Sequence, residues 1–199
     1  MRTEYLNPNL YPSLYDLMQY ENVLAMRLSL ETGLRIDDVL SLKWKNFKSS
    51  QRFSFVAKKT KKRGTKRISK ALAAQLWSRD TKSEYVFPGR KAGSHRTRQT
   101  VWKDVKQAAD RLGVEVNVAP HSARKTYAVE LRKAEGLPAV QRELQHTNKE
   151  TSMLYAFADE RAGKWSGALT VSDLKRIAAE LAKLLLPEIR ALIREAAKT

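Results

Sequence analysis

Glycine stops divide this 199-residue chain into short helical segments, and one long window departs from that pattern. Apolar residues recur at helical spacing before Gly33, Gly113 and Gly136, and glycine at such a position can end a helix in the left-handed conformation. Between residues 44 and 68 the pattern becomes strand-like, with a turn at Gly64. The chain is therefore predicted to have a mainly α (α+β) fold, helical with a small antiparallel β-sheet or hairpin.

The boundaries of the predicted elements follow from caps, stops and apolar periodicity. Helices are predicted over residues 13–19, 21–31, 34–42, 69–79, 99–112, 121–135, 138–144 and 149–157. Strands are predicted over residues 44–47, 53–59, 65–68 and 85–89. Two further helices, or one helix kinked at Pro187, are predicted after residue 170 because apolar residues recur there at helical spacing.

The charge balance is strongly basic. The chain has 38 Lys and Arg residues against 21 Asp and Glu, a formal net charge of +17. Eight basic residues and no acid lie between Lys58 and Lys70. Such a charge favours a polyanionic partner, first nucleic acid and second an anionic membrane, although a ribosomal-type or merely basic soluble protein has the same composition.

Several classes of protein are excluded or disfavoured by what the sequence lacks. The chain has no cysteine, which excludes disulfide frameworks, Cys-ligated zinc, iron–sulfur clusters and cysteine nucleophiles. Residues 1–10 do not read as a signal peptide. No apolar run approaches the roughly 20 residues that span a bilayer. A cytoplasmic location without membrane attachment is expected.

The densest group of chemically active side chains lies between Pro120 and Tyr155. His121 and Arg124 are three residues apart, so they share one face of a predicted helix. An arginine can bind two phosphate oxygens and a histidine can carry a proton. His146 and Tyr155 follow, and a phenol with a pKa of about 10 attacks phosphorus only with help from a base or cations. The alternative is that Tyr155 is an ordinary core or interface residue.

Four motifs occur in a fixed order along the chain. They are T-G-L-R-I-D-D-V-L-S-L, the hairpin K-K-T, P-H-S-A-R-K-T-Y-A, and L-Q-H-T-N-K-E-T-S-M-L-Y. Their order and spacing resemble the catalytic domain of the tyrosine recombinase (phage integrase) family over residues 21–158. Residues 1–20 would then be a lead-in, and residues 159–199 a C-terminal helical tail. Gln145 departs from the family pattern, which usually has glycine at that position.

The resemblance implies a set of catalytic residues and their roles. The set is Arg35, Lys59, His121, Arg124, His146 and Tyr155, with Asp38 in support. The two arginines would clamp a phosphate, the lysine would protonate the leaving 5′-hydroxyl, and the first histidine would accept the phenol proton. The second histidine would hydrogen-bond the scissile phosphate. The tyrosine would form a 3′-phosphotyrosyl intermediate, a reaction that requires no metal, cofactor or ATP.

The implied activity is site-specific recombination or integration of double-stranded DNA. Basic residues of the hairpin, and basic residues in or directly after the loop at 89–97, are expected to bind that DNA. These residues are Lys58, Lys61, Lys62, Arg63, Arg96 and Arg98. Lys58, Lys61 and Lys62 lie close to Lys59 in the sequence, so the sequence does not decide which of these lysines is the general acid. The identity of the target site, and whether the event is integration, excision, resolution or inversion, also remain open.

Residues 170–198 have an amphipathic pattern that admits several arrangements. The apolar stripe of this tail can pack on its own domain, dock onto a neighbouring copy or form a dimerising helical pair. A homo-oligomer on DNA, a dimer or tetramer, is the expectation from the resemblance. Two alternative functions are a non-cleaving DNA-binding regulator on the same fold and a relaxing topoisomerase with the same chemistry.

Overall fold

The computed structural model describes residues 3–79, 81–144 and 149–159, together with positions 179, 182, 186 and 187. The α-helices of the described residues are α1 (Tyr11–Asp16), α2 (Tyr20–Thr32), α3 (Ile36–Leu40), α4 (Lys70–Trp77), α5 (Arg98–Arg111), α6 (Pro120–Glu135), α7 (Leu137–Leu144) and α8 (Lys149–Ala156). Strands β1 (Arg52–Val56) and β2 (Arg63–Arg67) form an antiparallel sheet, and Pro8–Leu10 and Trp44–Asn46 are 3₁₀ helices. The predictions for Gln145, for His146 and for the tail at 170–198 fall outside the described residues.

Local signals in the sequence account for most helix boundaries. The hydroxyls of Ser69 and Thr97 accept hydrogen bonds from backbone N–H groups in the first turns of α4 and α5, as N-cap residues do. Gly33 ends α2 in the left-handed conformation at φ 69°. Pro120 occupies the first turn of α6, where a missing N–H leaves no unmade bond. The mainly helical prediction is confirmed.

The predicted sheet is smaller than expected. β1 and β2 pair from Arg52 with Arg67 to Val56 with Arg63, which confirms the hairpin. The strand predicted at 44–47 is wrong, because this segment is the 3₁₀ helix Trp44–Asn46, closed by the Asn46 side chain accepting from the Lys43 N–H. The strand predicted at 85–89 is also wrong.

That second segment makes only isolated bridges. Tyr85 bridges Lys43, and Pro88 bridges His95. Pro88 has no N–H with which to extend a ladder, so pairing stops there. The adjacent apolar residues Val86 and Phe87 of this segment are nevertheless buried, and both are fully enclosed by the core.

The first described residues are part of the main core. Leu6, Tyr11 and Leu14 are buried together with residues from α2 to α6. The sequence suggested that residues 1–20 are a lead-in to the domain, but residues 3–20 contribute directly to its packing. The division of the chain at residues 21 and 158 remains a prediction.

A second apolar cluster joins the last three described helices. Ala128 of α6 packs with Val140 and Leu144 of α7, and with Ala156 and Phe157 at the end of α8. This cluster fixes α8 against α6, which positions the two helices that carry Tyr155 and His121. No helix within the described residues is both long and apolar enough to cross a bilayer.

Candidate active site

The first turn of α6 is held by a polar network that reaches the N-terminal segment. The Ser122 hydroxyl accepts from the Ala119 N–H at 3.2 Å and donates to the Glu4 carbonyl at 2.6 Å. Ser122 is fully buried. The first turn of α6, which contains His121, is therefore held by hydrogen bonds from Ser122 to Ala119 and to Glu4.

Residues 3–6 continue along α6 as an extended strap. The Glu4 N–H donates to the Asn117 carbonyl at 3.0 Å, and the Thr126 hydroxyl donates to the Leu6 carbonyl at 2.8 Å. The Lys125 ammonium donates to the Thr3 carbonyl. Sequence reasoning did not find this contact, because an isolated polar segment gives no sign of the helix it lies against.

Arg124 is the most deeply buried cation of the site, with only 2 % of its surface exposed. Its guanidinium donates to the carbonyls of Gly33 and Leu144, the latter at 2.9 Å. These bonds tie the end of α2 and the end of α7 to the middle of α6. Burial, and then the positive charge of Arg35, lower the pKa of Arg124 to about 10. The side chain remains charged at neutral pH.

Gly33 allows that arrangement for two reasons. Its φ of 69° is left-handed, which residues with a Cβ adopt at a cost. A Cβ at this position would also overlap the ring of Tyr127 and lie 2.9 Å from the Leu144 side chain. The glycine of the T-G-L-R motif is therefore required by close packing beside Arg124.

Arg35 lies at the start of α3 and faces the same region as His121. Both line a cavity of about 540 Å³. The positive charge of Arg35 contributes to the lowered pKa of both His121 and Arg124, which shows that the three groups are near one another. Three cationic or titratable side chains from α3 and α6 thus converge, and such a concavity favours an anion.

Tyr155 completes this convergence from α8. Its hydroxyl is hydrogen-bonded to His121 Nε2, and the two rings meet edge to face with centroids 5.3 Å apart. The Arg124 guanidinium lies 5.9 Å from the centre of the Tyr155 ring. The structure therefore brings together Arg35, Arg124, His121 and Tyr155, residues predicted from separate motifs.

His121 is neutral at physiological pH. Burial lowers its pKa to about 4, and the positive charges of Arg124, Lys125 and Arg35 act in the same direction. A neutral imidazole has one ring nitrogen that accepts a hydrogen bond. In the tautomer that carries its proton on Nδ1, Nε2 accepts the hydrogen bond that the Tyr155 hydroxyl donates.

Asp38 connects α3, which begins next to Arg35, to the hairpin. Its carboxylate is buried, and Oδ1 accepts from the Lys58 N–H at 2.8 Å. Its negative charge also raises the pKa of Arg124. This carboxylate therefore fixes the start of the hairpin turn relative to α3. Within the described residues, no three His, Asp or Glu side chains cluster as metal ligands do.

The hairpin turn presents its basic residues to solvent. It is closed by the Ala57 N–H, which donates to the Lys62 carbonyl at 2.9 Å, and by Lys61 at a φ of 58°. The exposed residues are Lys58, Lys59, Lys61, Lys62 and Arg63. Lys59 is not among the residues lining the cavity.

The two other predicted DNA-binding arginines differ in environment. The Arg98 side chain is 61 % exposed, pairs with Asp37 at 3.7 Å and lines the cavity. Arg96 is half-buried, and its N–H donates to the Phe87 carbonyl. Sequence reasoning missed Trp102, which is 47 % exposed and lines the same cavity. The available signal was its position outside the apolar stripe of α5.

The fold and this set of side chains define a known class of protein. The sequence matches the phage integrase family over residues 4–161, and the chain belongs to that family. It is 31 % identical over 140 residues to the tyrosine recombinase XerC of Xanthomonas campestris pv. campestris (strain B100). That match covers 67 % of this chain and 43 % of XerC, so the chain spans less than half the length of this relative.

Solved structures of integrases share the fold. A lambda integrase dimer bound to a COC′ core site superposes with a TM-score of 0.68 at 19 % identity, over 86 % of this chain and 52 % of that one. The catalytic domain of bacteriophage HP1 integrase superposes with a TM-score of 0.58 at 21 % identity, over 78 % of this chain and 88 % of that one. The family and fold expected from the sequence are confirmed.

Proposed function

We propose that this chain is the catalytic part of a site-specific recombinase or integrase that cuts and rejoins double-stranded DNA. The observation that carries the proposal is the hydrogen bond between the Tyr155 hydroxyl and a neutral His121, beside the buried Arg124. A phenol that faces a proton acceptor in a cationic environment is suited to attack a phosphodiester.

The proposed reaction is a transesterification. The Tyr155 oxygen bonds to phosphorus as its proton moves to His121 Nε2, and the bond from phosphorus to the 5′-oxygen breaks. The hairpin lysine, Lys59 in the family pattern, gives a proton to the leaving 5′-oxygen, which departs as a 5′-hydroxyl. Attack by another 5′-hydroxyl reverses these steps and reseals the strand. The bond energy remains in the phosphotyrosyl link, so ATP is not consumed.

The arginines stabilise the charge that develops on phosphorus. Arg35 and Arg124 donate to non-bridging oxygens, and His146 adds a further hydrogen bond to the same phosphate. Asp38 supports the site by holding the N–H of Lys58, next to the proposed general acid. Lys59 lies in an exposed turn, so we propose that contact with DNA brings it to the leaving group.

The proposed partner is duplex DNA, with a second copy of the chain assembled on it. Lambda integrase has been solved as a dimer bound to DNA, which supports this proposal by likeness of fold. The exposed hairpin cations, Arg96 and Arg98 are the proposed DNA contacts, and residues 170–198 the proposed contact between copies. The chain would act in the cytoplasm, where its bacterial relatives would meet their DNA.

A covalent trap on randomised DNA tests the nucleophile and identifies the target site in the same experiment. A pool of duplexes carries a nick within randomised sequence, so that the short strand released by cleavage diffuses away. We expect a protein–DNA adduct that survives SDS, and sequencing the trapped DNA gives the site. Tyr155→Phe should abolish the adduct, while Tyr20→Phe, which changes a tyrosine that is 51 % exposed, should leave it intact.

Three other outcomes distinguish the alternatives. An undiminished adduct in Tyr155→Phe contradicts the assignment of the nucleophile. Sequence-specific binding with no adduct favours a non-cleaving regulator. Relaxation of supercoiled plasmid without sequence preference favours a topoisomerase.

The general acid is identified with a modified leaving group. A 5′-thiol leaves without protonation, so a lysine that only donates a proton becomes dispensable. We expect Lys59→Ala to slow adduct formation on ordinary DNA and to be rescued on the 5′-thiol substrate. Lys58→Ala and Lys61→Ala serve as matched controls, and rescue of either one instead would move the assignment.

A further inference from the structure

The outer face of the two-stranded sheet carries two arginines directly opposite each other. Arg52 of β1 pairs in register with Arg67 of β2, and both side chains are exposed. The neighbouring positions Phe53 and Phe55 are buried, so the arginines lie on the face that points away from the core. Like charges directly across a ladder destabilise the pairing, which makes this a costly place for two cations.

These arginines border a separate concavity of about 380 Å³. Its lining residues are Lys48, Arg52, Thr65, Lys66 and Arg67, and none of them is acidic. Lys66 is nearly enclosed and is already paired with Glu143. Within the part of the chain that the structure describes, Lys48, Arg52 and Arg67 form no ion pair. The Lys48 N–H donates to the Arg52 carbonyl at 2.8 Å, which fixes Lys48 beside the arginines.

We infer that this face, formed by Lys48, Arg52 and Arg67, is a second site for the phosphate backbone of duplex DNA. It is distinct from the catalytic cavity, with which it shares no lining residue. The inference rests on the proposal that the chain binds DNA, and does not depend on cleavage. The phosphates would supply the negative charge that the opposed arginines lack.

The position of the face in the hairpin favours DNA over an acidic protein. The same two strands carry the cations of the turn, including Lys59, at their other end. At about 3.3 Å per residue, a five-residue strand separates the two ends by roughly 17 Å. One turn of duplex DNA measures about 34 Å over about 10 base pairs. The outer face would therefore meet phosphates about five base pairs from the reacting one.

The salt dependence of binding measures these contacts. The 199-residue chain carrying Tyr155→Phe, which cannot form an adduct, is titrated with a random-sequence duplex pool between about 50 and 200 mM salt, and binding is followed by fluorescence anisotropy. Arg52→Thr with Arg67→Thr removes two cations and retains residues that favour strands. Each lost phosphate contact changes the slope of log K against log salt by about 0.9, so the slope should fall by about 1.8. Over this fourfold range of salt, the variant should lose about twelvefold less affinity than its parent.

The control removes two exposed cations that line neither cavity. Arg111 and Lys133 lie in the last turns of α5 and α6, whose first turns carry the residues of the cavity. Arg111→Ala with Lys133→Ala should leave the slope unchanged. Phosphate-ethylation interference on the DNA recovered from the covalent trap should show a contact about five base pairs from the cut, and the threonine variant should lose it.

Several results would overturn the inference. An unchanged slope in the threonine variant, or an equal change in the control, shows that the face does not bind DNA. A parent that binds no DNA refutes both this site and the proposed function. If the chain with Tyr155 intact cleaves DNA in the covalent trap while the threonine variant leaves the slope unchanged, this site alone is refuted. Urea unfolding should show the threonine variant to be at least as stable as its parent, because the opposed like charges are removed, and a clear loss of stability would mean that the arginines serve the fold.

Discussion

Replacing Gly33 with alanine tests the packing that positions Arg124. Gly33 ends α2 at a φ of 69°, and its carbonyl accepts from the Arg124 guanidinium. Gly113 has almost the same φ, 67°, but a Cβ there would meet nothing within 4 Å. The two glycines therefore have the same backbone demand and different surroundings, which makes Gly113→Ala a matched control.

The expected losses of unfolding free energy follow from the left-handed backbone at each glycine and from the space around it. A residue with a Cβ in the left-handed region costs about 1–2 kcal/mol, and this applies to both variants. Forcing a methyl group into a filled site costs about a further 1–3 kcal/mol, and this applies only to Gly33→Ala, where Tyr127 and Leu144 are in the way. We expect losses of unfolding free energy of about 1–2 kcal/mol for Gly113→Ala and about 2–5 kcal/mol for Gly33→Ala.

Urea unfolding of both variants, followed by circular dichroism, measures the difference. In a chain that already carries Tyr127→Ala, Gly33→Ala should lower the free energy of unfolding by less than it does in the parent, because the methyl group then has more space. In the covalent trap, Gly33→Ala should also slow adduct formation more than Gly113→Ala, since it displaces the carbonyl that holds Arg124. Equal losses of stability in the two glycine variants would refute the claim that close packing dictates this glycine.

Three further predictions concern acid sensitivity, capping and an ion pair. The pKa of His121 is about 4 in the folded chain and about 6.5 in the unfolded chain, so acidification protonates the unfolded state first and favours unfolding. Between pH 7.5 and pH 5 the free energy of unfolding should therefore fall by about 2 kcal/mol more in the parent than in His121→Gln. Urea titrations of both proteins at both pH values measure this difference. Ser122→Ala should cost about 1–3 kcal/mol and speed hydrogen exchange at the Ala119 amide, because that buried N–H loses its acceptor. In the pair of Lys66 and Glu143 the lysine is the more buried partner, so Glu143→Gln should lower the melting temperature more than Lys66→Met, which leaves no unpaired cation.

The features that the sequence predicted correctly are those set by local chemistry. The Ser69 cap, the Gly33 stop and the proline at the start of α6 act within one helical turn, so their effect is legible in a few consecutive residues. The motif residues were also legible, but their roles in catalysis remain predictions, and His146 lies outside the described residues.

The errors occurred where distant contacts decide the local conformation. Residues 44–47 have a strand-like pattern, yet Trp44 lies in a 3₁₀ turn that packs against Trp77 with ring centroids 4.7 Å apart. The segment at 85–89 buries Val86 and Phe87, but Pro88 and the absence of a neighbouring ladder among the described residues limit it to isolated bridges. Propensity is a weak guide when tertiary packing competes with it.

Sequence alone therefore determined the helical class, the hairpin and the family, and it predicted the residues that are proposed to attack a phosphodiester. Only the tertiary structure brought Arg35, His121, Arg124 and Tyr155 near one another, and only it showed residues 3–6 lying along α6. The register of β1 and β2, which opposes Arg52 and Arg67, was likewise invisible in the chain order. The physical reason is that these contacts join residues far apart in sequence, so they depend on how helices and strands pack.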